Sequence, residues 1–215
     1  MCNTYRFHPL ANQPFEELRQ VGIQLVFPDG KPNIEPRHDI RIGDSAPVVT
    51  RTADGVAVRM TRWAWPSPQG RPVFNFRSEG RSFANSLRCA IPADGFYEFT
   101  DALPGLKRKT KWLFTMADAP AFWIAGIIRN GAFAMLTTTP GPDVEPYHDR
   151  QIVLLEPGRA MEWLDLATAE ADLLRPLSAG RLKAERIFPP GPEDGSFADP
   201  AHSHSIVPGG FDVTS

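Results

Sequence analysis

Apolar and polar residues alternate along several short windows of this chain, and helical spacing is confined to brief stretches. Residues 47–60 alternate on both sides of Asp54-Gly55, the pattern of a β-hairpin. Residues 122–138 repeat the arrangement around Asn130-Gly131, with apolar runs on each flank. Residues 112–116 and 151–155 read as further strands. Helices are predicted over 12–21, with Asn12 as cap and Pro14 in the first turn, and over 81–87, 159–166 and 168–174. The expected architecture is α+β: a mainly antiparallel sheet system with small helices around it.

Composition sharpens this picture. With 22 Pro and 17 Gly in 215 residues, turns are frequent and elements short. Apolar residues make up 42% and charged residues 22%, enough for a packed core and against global disorder. There is no internal repeat. From residue 189 the chain shifts to Pro, Gly, Ser and Asp with few apolar anchors. We therefore expect one catalytic domain over 2–188 and a loosely ordered tail over 189–215. His202 and His204 lie in that tail; their spacing admits a metal, but a solvated tail is the plainer assignment.

Charge and cysteine usage exclude several classes. A net charge of −2 gives no global attraction for polyanions, so a nucleic-acid partner needs a local basic patch. Two cysteines, Cys2 and Cys89, imply no disulfide framework. The first segment lacks the cationic start and apolar run of a signal peptide, and no window approaches the roughly 20 apolar residues of a membrane span. A soluble, cytoplasmic, monomeric protein is expected.

The candidate chemistry begins at Cys2. Methionine is removed when the next residue is small, which would leave a cysteine bearing a free α-amine. Amine and thiol then sit on adjacent carbons, with ordinary pKa values of about 8 and 8.5, so a useful fraction of each is unprotonated near neutrality. Such a 1,2-aminothiol condenses with an aldehyde, first to a Schiff base and then to a five-membered thiazolidine. Three further constellations stand out: Asn75-Phe76-Arg77-Ser78-Glu79; Arg88-Cys89-Ala90-Ile91-Pro92-Ala93-Asp94-Gly95-Phe96-Tyr97-Glu98; and His148-Asp149-Arg150 before an apolar strand. Taken singly, each has an ordinary structural explanation.

Together, and in this order, they resemble the SRAP family (SOS response-associated peptidase domain), whose members crosslink to abasic sites in single-stranded DNA. Met60-Thr61-Arg62-Trp63-Ala64-Trp65-Pro66 and Asn33-Ile34-Glu35-Pro36 are weaker matches to the same pattern. The resemblance runs from residue 2 to about residue 165. It implies an open, barrel-like β core and a catalytic set of Cys2, Asn75, Glu98 and His148. It implies abasic single-stranded DNA as partner, with lyase and autopeptidase activity beside the crosslink, no cofactor and no metal. Arg77 and Arg150 are the expected phosphate contacts, with Arg62 and Arg81 beside them, and Trp63 and Trp65 are candidates to stack on flanking bases. Core packing is the alternative for the tryptophans. The chain departs from the family pattern in places. Asn3-Thr4 replaces Gly-Arg, with Arg6 the nearest substitute; Phe99 replaces a tryptophan; Gln151-Ile152 replaces Met-Pro; and the surroundings of Gly80 fit poorly.

In this frame His148 opens the sugar hemiacetal, the Cys2 amine attacks C1′, Glu98 orients that amine and takes its proton, and Asn75 positions the terminus. The main rival is an N-terminal-cysteine hydrolase, a peptidase or amidase in which Cys2 attacks an acyl carbon. A pure DNA-binding module and a zinc site of Cys2, Cys89 and His148 are further alternatives, the last without a paired ligand motif to support it.

Overall fold

Two hairpins and one sharp corner organise the chain. The computed structural model describes residues 2–8, 13–156 and 158–190. In chain order its elements are β1 (Thr4–Phe7), α1 (Gln13–Gln20), β2 (Leu25–Val26), β3 (Arg37–Arg41), β4 (Ser45–Thr52), β5 (Gly55–Trp63), β6 (Trp65–Pro66), β7 (Pro72–Val73) and β8 (Asn75–Arg77). They continue with β9 (Leu87–Ala93), β10 (Gly95–Thr100), β11 (Thr110–Met116), β12 (Phe122–Arg129), β13 (Ala132–Thr138), β14 (Gln151–Ile152), β15 (Leu154–Leu155), α2 (Ala160–Asp165), α3 (Glu170–Leu173) and β16 (Leu182–Phe188).

The β12–β13 hairpin turns at Asn130 and Gly131, both left-handed with φ of 52° and 73°. That is the conformation an Asn-Gly pair favours in a two-residue loop. In the β4–β5 hairpin the turn falls on Ala53 and Asp54, one residue earlier than Asp54-Gly55. Gly55 instead pairs with Thr52 as the first residue of the strand. The backbone oxygen of Gln24 lies 2.2 Å from where a Cβ on Gly55 would be, so no other residue fits. The strand expected over 151–155 is split in two, because β14 pairs with β13 and β15 with β12.

A nine-stranded sheet runs β14-β13-β12-β9-β4-β5-β2, with β8 on β13 and β15 on β12. β13 also meets β5 in parallel at Ala132–Arg62 and Phe133–Trp63, which brings the path round on itself and makes the core barrel-like. A five-stranded sheet, β16-β11-β10-β1-β3, packs beside it. The pairing is mainly antiparallel, and the helices are short and peripheral, as the residue pattern predicts. Aromatic edges join the sheets: Tyr5 meets Trp63 at 5.4 Å, and Phe96 meets Phe122 at 6.5 Å. Such contacts add to the burial of rings that are already fully enclosed.

The helix expected over 81–87 does not form. Leu87 opens β9, and the residues before it make a turn closed by Ser86 N–H on the Phe83 carbonyl at 2.9 Å. Side chains take the backbone groups a helix would need. Phe83 N–H donates to Glu170 Oε1 at 2.7 Å, and Arg88 Nη1 donates to the carbonyls of Phe83 and Ala84. The Phe83 ring is buried against Phe76 and Trp163, and that anchor outweighs local propensity. The helices at 159–166 and 168–174 form in shortened versions. Asn12, and His202 and His204 of the expected tail, lie outside the described residues.

Candidate active site

The corner between the two sheets builds the site. β9 belongs to the large sheet and β10 to the small one, and Asp94 is the single residue between them. Its carboxylate is buried and faces the first strand. Oδ2 accepts from Arg6 Nε and Nη2, each at 2.9 Å, and Oδ1 accepts from His8 N–H at 2.9 Å. Asp94 N–H donates in turn to the Arg6 carbonyl at 3.2 Å. Gly95 follows where a Cβ would press on Leu113 Cδ1 at 2.7 Å. These contacts fix β1 against β10 through the pairs Tyr5–Phe96 and Arg6–Gly95.

Carried back from those pairs, the antiparallel register brings the terminus alongside Glu98. The backbone N–H of Cys2 favours the ionised form of the Glu98 carboxylate. Asn75, at the start of β8, donates from Nδ2 to the Cys2 carbonyl at 2.8 Å, tying the terminus to the large sheet. Asn75 Oδ1 is buried with no hydrogen-bond partner among the described residues. Cys2 is itself buried, and its thiol donates to the Thr4 carbonyl at 3.3 Å. Burial, with Glu98 adding to it, pushes that thiol well above its ordinary value. Burial likewise pushes Glu98 up to about 7, although the Cys2 N–H works against it.

His148 leaves a turn in which its own N–H donates to the Val144 carbonyl at 3.0 Å. The preceding Tyr147 is wedged edge-on between Trp112 and Phe114, at 4.8 and 5.1 Å. His148 Nε2 lies 3.9 Å from Glu98 Oε2. Two groups meet Nδ1: Arg150 N–H donates to it at 3.0 Å, and Asp149 Oδ1 stands 2.8 Å away. These contacts suit different protonation states. The neutral ring accepts from Arg150 and carries its proton on Nε2, facing Glu98, whereas the imidazolium gives its Nδ1 proton to Asp149. Burial holds the imidazole below its ordinary value, so the neutral tautomer dominates near pH 7. Glu98, His148, Asn3, Phe99 and Lys109 line an open cleft of about 410 Å³. Among the described residues no cluster of His, Cys, Asp or Glu is placed to hold a metal, and no helix is long and apolar enough to cross a membrane.

Residues 1–189 match the family described as SOS response associated peptidase (SRAP). The chain belongs to the SRAP family. Among its relatives, the abasic site processing protein YoqW of Bacillus subtilis is 27% identical over 198 residues, covering 79% of this chain and 86% of that one. The abasic site processing protein YoaM of the same organism is 25% identical over 214 residues, covering 87% and 91%. A phage-related protein of Bordetella bronchiseptica superposes with a TM-score of 0.65 at 24% identity, covering 87% of this chain and 94% of that one. A protein of Bacteroides thetaiotaomicron gives 0.64 at 20% identity, covering 86% and 92%. At those identities the structural likenesses carry the fold alone.

In this SRAP domain Glu98 and His148 line one cleft, while Cys2 is buried and Asn75 is joined to it through the Cys2 carbonyl. The residues expected on DNA are divided. Arg77, Arg62 and Arg81 are exposed. Arg77 follows Asn75 by two positions on β8, and strand periodicity sets both on one face. Arg81 lies 4.8 Å over the Phe76 ring. Arg150, in contrast, is buried; it forms a two-pronged ion pair with Glu79, with Nη2 2.9 Å from Oε2, and donates to Thr137 Oγ1 at 3.0 Å. Trp63 is fully enclosed, stacked on Phe133 at 6.1 Å with its indole N–H on the Phe74 carbonyl. Trp65 is buried against Phe76. Both tryptophans thus take the core-packing role. Arg6 does not stand in for the missing arginine at position 4, because Asp94 holds it. Sequence reasoning missed this Asp94 anchor and the cleft residue Lys109. The signal for Lys109 was the run Lys107-Arg108-Lys109-Thr110-Lys111, four cations in five residues on a chain of net charge −2.

Proposed function

We propose that this SRAP protein processes abasic sites in single-stranded DNA by crosslinking Cys2 to the opened sugar. The observation that carries the proposal is the bond from Asn75 Nδ2 to the Cys2 carbonyl at 2.8 Å, which holds the terminus beside a cleft lined by Glu98 and His148. Removal of Met1 turns the Cys2 amide nitrogen into the reacting amine, with Glu98 as its base. The imidazolium form of His148 protonates the ring oxygen from Nε2, the C1′–O4′ bond breaks, and the protonated aldehyde returns its proton to that nitrogen. The Cys2 amine adds to C1′ and gives a proton to Glu98. Glu98 returns it to the carbinolamine hydroxyl, which leaves as water and yields the Schiff base. The thiol then adds across the C=N bond, its proton passes to nitrogen, and the thiazolidine closes. A protein that closes the ring shields the strand, because β-elimination needs the open imine; one that stalls there acts as a lyase.

Burial supports amine-first chemistry. A thiol held well above its ordinary value stays protonated near pH 7, so it does not compete for the aldehyde. The same feature argues against the hydrolase alternative, which needs a thiolate nucleophile. Asn75 holds the terminus, and Arg77, Arg62 and Arg81 supply exposed cations for phosphates. Arg150 reaches a phosphate only in exchange for Glu79, and its main effect is to hold the backbone N–H that fixes the His148 tautomer.

The test is a denaturing gel after incubation with single-stranded DNA bearing one abasic site. Wild type should give a heat-stable adduct and mass spectrometry should show loss of Met1. Cys2→Ala should give at most a borohydride-trappable Schiff base, and a heat-stable adduct from that variant would overturn the thiazolidine. Hydrolysis of a peptide or amide substrate with no adduct would favour the rival enzyme.

A further inference from the structure

The reactive cleft does not end at its Asn3 side. A second hollow of about 380 Å³ adjoins it and shares Asn3 and Phe99 as a saddle. Its walls include Arg41, Arg108 and Lys111, with Asp39 among them and Ile42 on the floor. With Lys109 in the first hollow, four cations border one groove against two carboxylates, buried Glu98 in the first hollow and Asp39 in the second. The Asp39 carboxylate is shared, since it meets Lys111 at 3.0 Å and Arg41 at 3.5 Å. Ring faces also hold two of the four cations in place, Arg108 and the Asp39-paired Lys111. Arg108 lies 4.3 Å over the Phe188 ring, and Lys111 lies 3.8 Å over Tyr97. Lys109 is exposed, and no carboxylate pairs with it among the described residues.

An anion that fills this groove must present more than one negative charge, because Lys109 lies in the first hollow and Arg41, Arg108 and Lys111 lie in the second. It must also be continuous with whatever enters the cleft at Glu98. A phosphodiester strand meets both demands, with a charge at every nucleotide and no need for base-specific contacts. We propose that the groove carries the backbone of single-stranded nucleic acid on one side of the reacting sugar. Lys109 takes the phosphate next to the sugar, and Arg108, Arg41 and Lys111 take those that follow. This inference rests on the crosslinking function proposed above and adds a path for the strand through residues outside the SRAP sequence motifs.

The experiment measures binding of a lesion-free oligonucleotide of about 12 nucleotides across a salt series, alongside adduct formation with an abasic strand. Lys109→Glu and Arg108→Glu should each weaken binding about tenfold at low salt and make the log–log salt slope shallower by about 0.7 per lost phosphate contact. Arg175→Glu, in a different pocket, should bind as wild type does. Melting temperatures check folding, and Lys109→Gln and Arg108→Gln replace any reversal that fails to fold. Folded variants with wild-type affinity and slope would overturn the groove while wild-type adduct formation leaves the crosslinking reading intact. A wild type that neither binds the strand nor forms an adduct would overturn both. Displacement of the strand by a polyglutamate peptide at equal charge concentration would overturn the assignment to nucleic acid.

Discussion

The Asp94 corner and the Glu98 cleft each bury a carboxylate from one short stretch of chain, and the fold uses them in opposite ways. Asp94 faces a guanidinium and an N–H of the first strand, so its charge is compensated and becomes an anchor. Glu98 faces the Cys2 N–H and a mainly neutral imidazole across an open cleft, and burial lifts it to about 7. Burial alone therefore makes neither a structural nor a reactive acid. The full positive charge of Arg6 separates the two cases. The corner holds the strand whose end the cleft is proposed to use, so anchoring and reactivity are mechanically linked.

The largest expected effects lie in the cleft. Glu98→Gln and His148→Ala should each slow adduct formation by roughly 10²–10⁴, the usual range for loss of a general acid or base. They should fail at different steps. A small aldehyde that needs no ring opening should rescue His148→Ala more than Glu98→Gln, because His148 is assigned to the sugar oxygen and Glu98 to the amine. Single-turnover rates with both substrates check this, and equal rescue of the two variants would remove the division of roles.

The corner should give a smaller effect of a different kind. Asp94→Asn leaves Arg6 charged beside a neutral amide in a buried position and should cost about 3 kcal/mol of stability. If the corner also positions the nucleophile, the rate should fall about tenfold, and the pH midpoint for adduct formation should rise as the Cys2 nitrogen withdraws from Glu98. Denaturant titration and a pH–rate profile on the same protein separate the roles. Lost stability with an unchanged midpoint would make the anchor purely structural.

Sequence reading captured unequal parts of this arrangement. The Asn130-Gly131 hairpin was legible because one turn type needs exactly those left-handed conformations, and the motifs picked out Glu98 and His148, which meet in one cleft. The 81–87 helix failed because Phe83 N–H is taken by Glu170 and Arg88 is held on the Leu164 carbonyl, contacts far apart in sequence that no local pattern encodes. Arginine and tryptophan were ambiguous for a related reason. A guanidinium pairs with Glu79 as readily as with a phosphate, and an indole packs on Phe133 as readily as on a base. Only the fold decides between such partners. The Asp94 anchor was hidden in the same way: Arg6 read as a substitute for the arginine missing at position 4 until the corner brings it to Asp94.

The smallest predicted change is also the one that opposes rate and stability. Glu98 must be ionised to accept the amine proton, so adduct formation should rise with pH to a plateau with a midpoint near 7. Lowering the pH from 7 to 6 should slow it about fivefold. Stability should move the other way. The folded chain binds a proton between the ordinary carboxyl value of 4.5 and the raised value of about 7, whereas the unfolded chain does not. The contribution is therefore complete below 4.5 and lost as pH rises through 7, amounting to something of order 3 kcal/mol. Glu98→Gln should flatten this part of both profiles, and Asp94→Asn should not, because it leaves the Glu98 carboxylate in place. A rate midpoint near 4.5 in the wild type would mean that burial does not set the acidity of Glu98, and the contrast between cleft and corner would then rest on geometry alone.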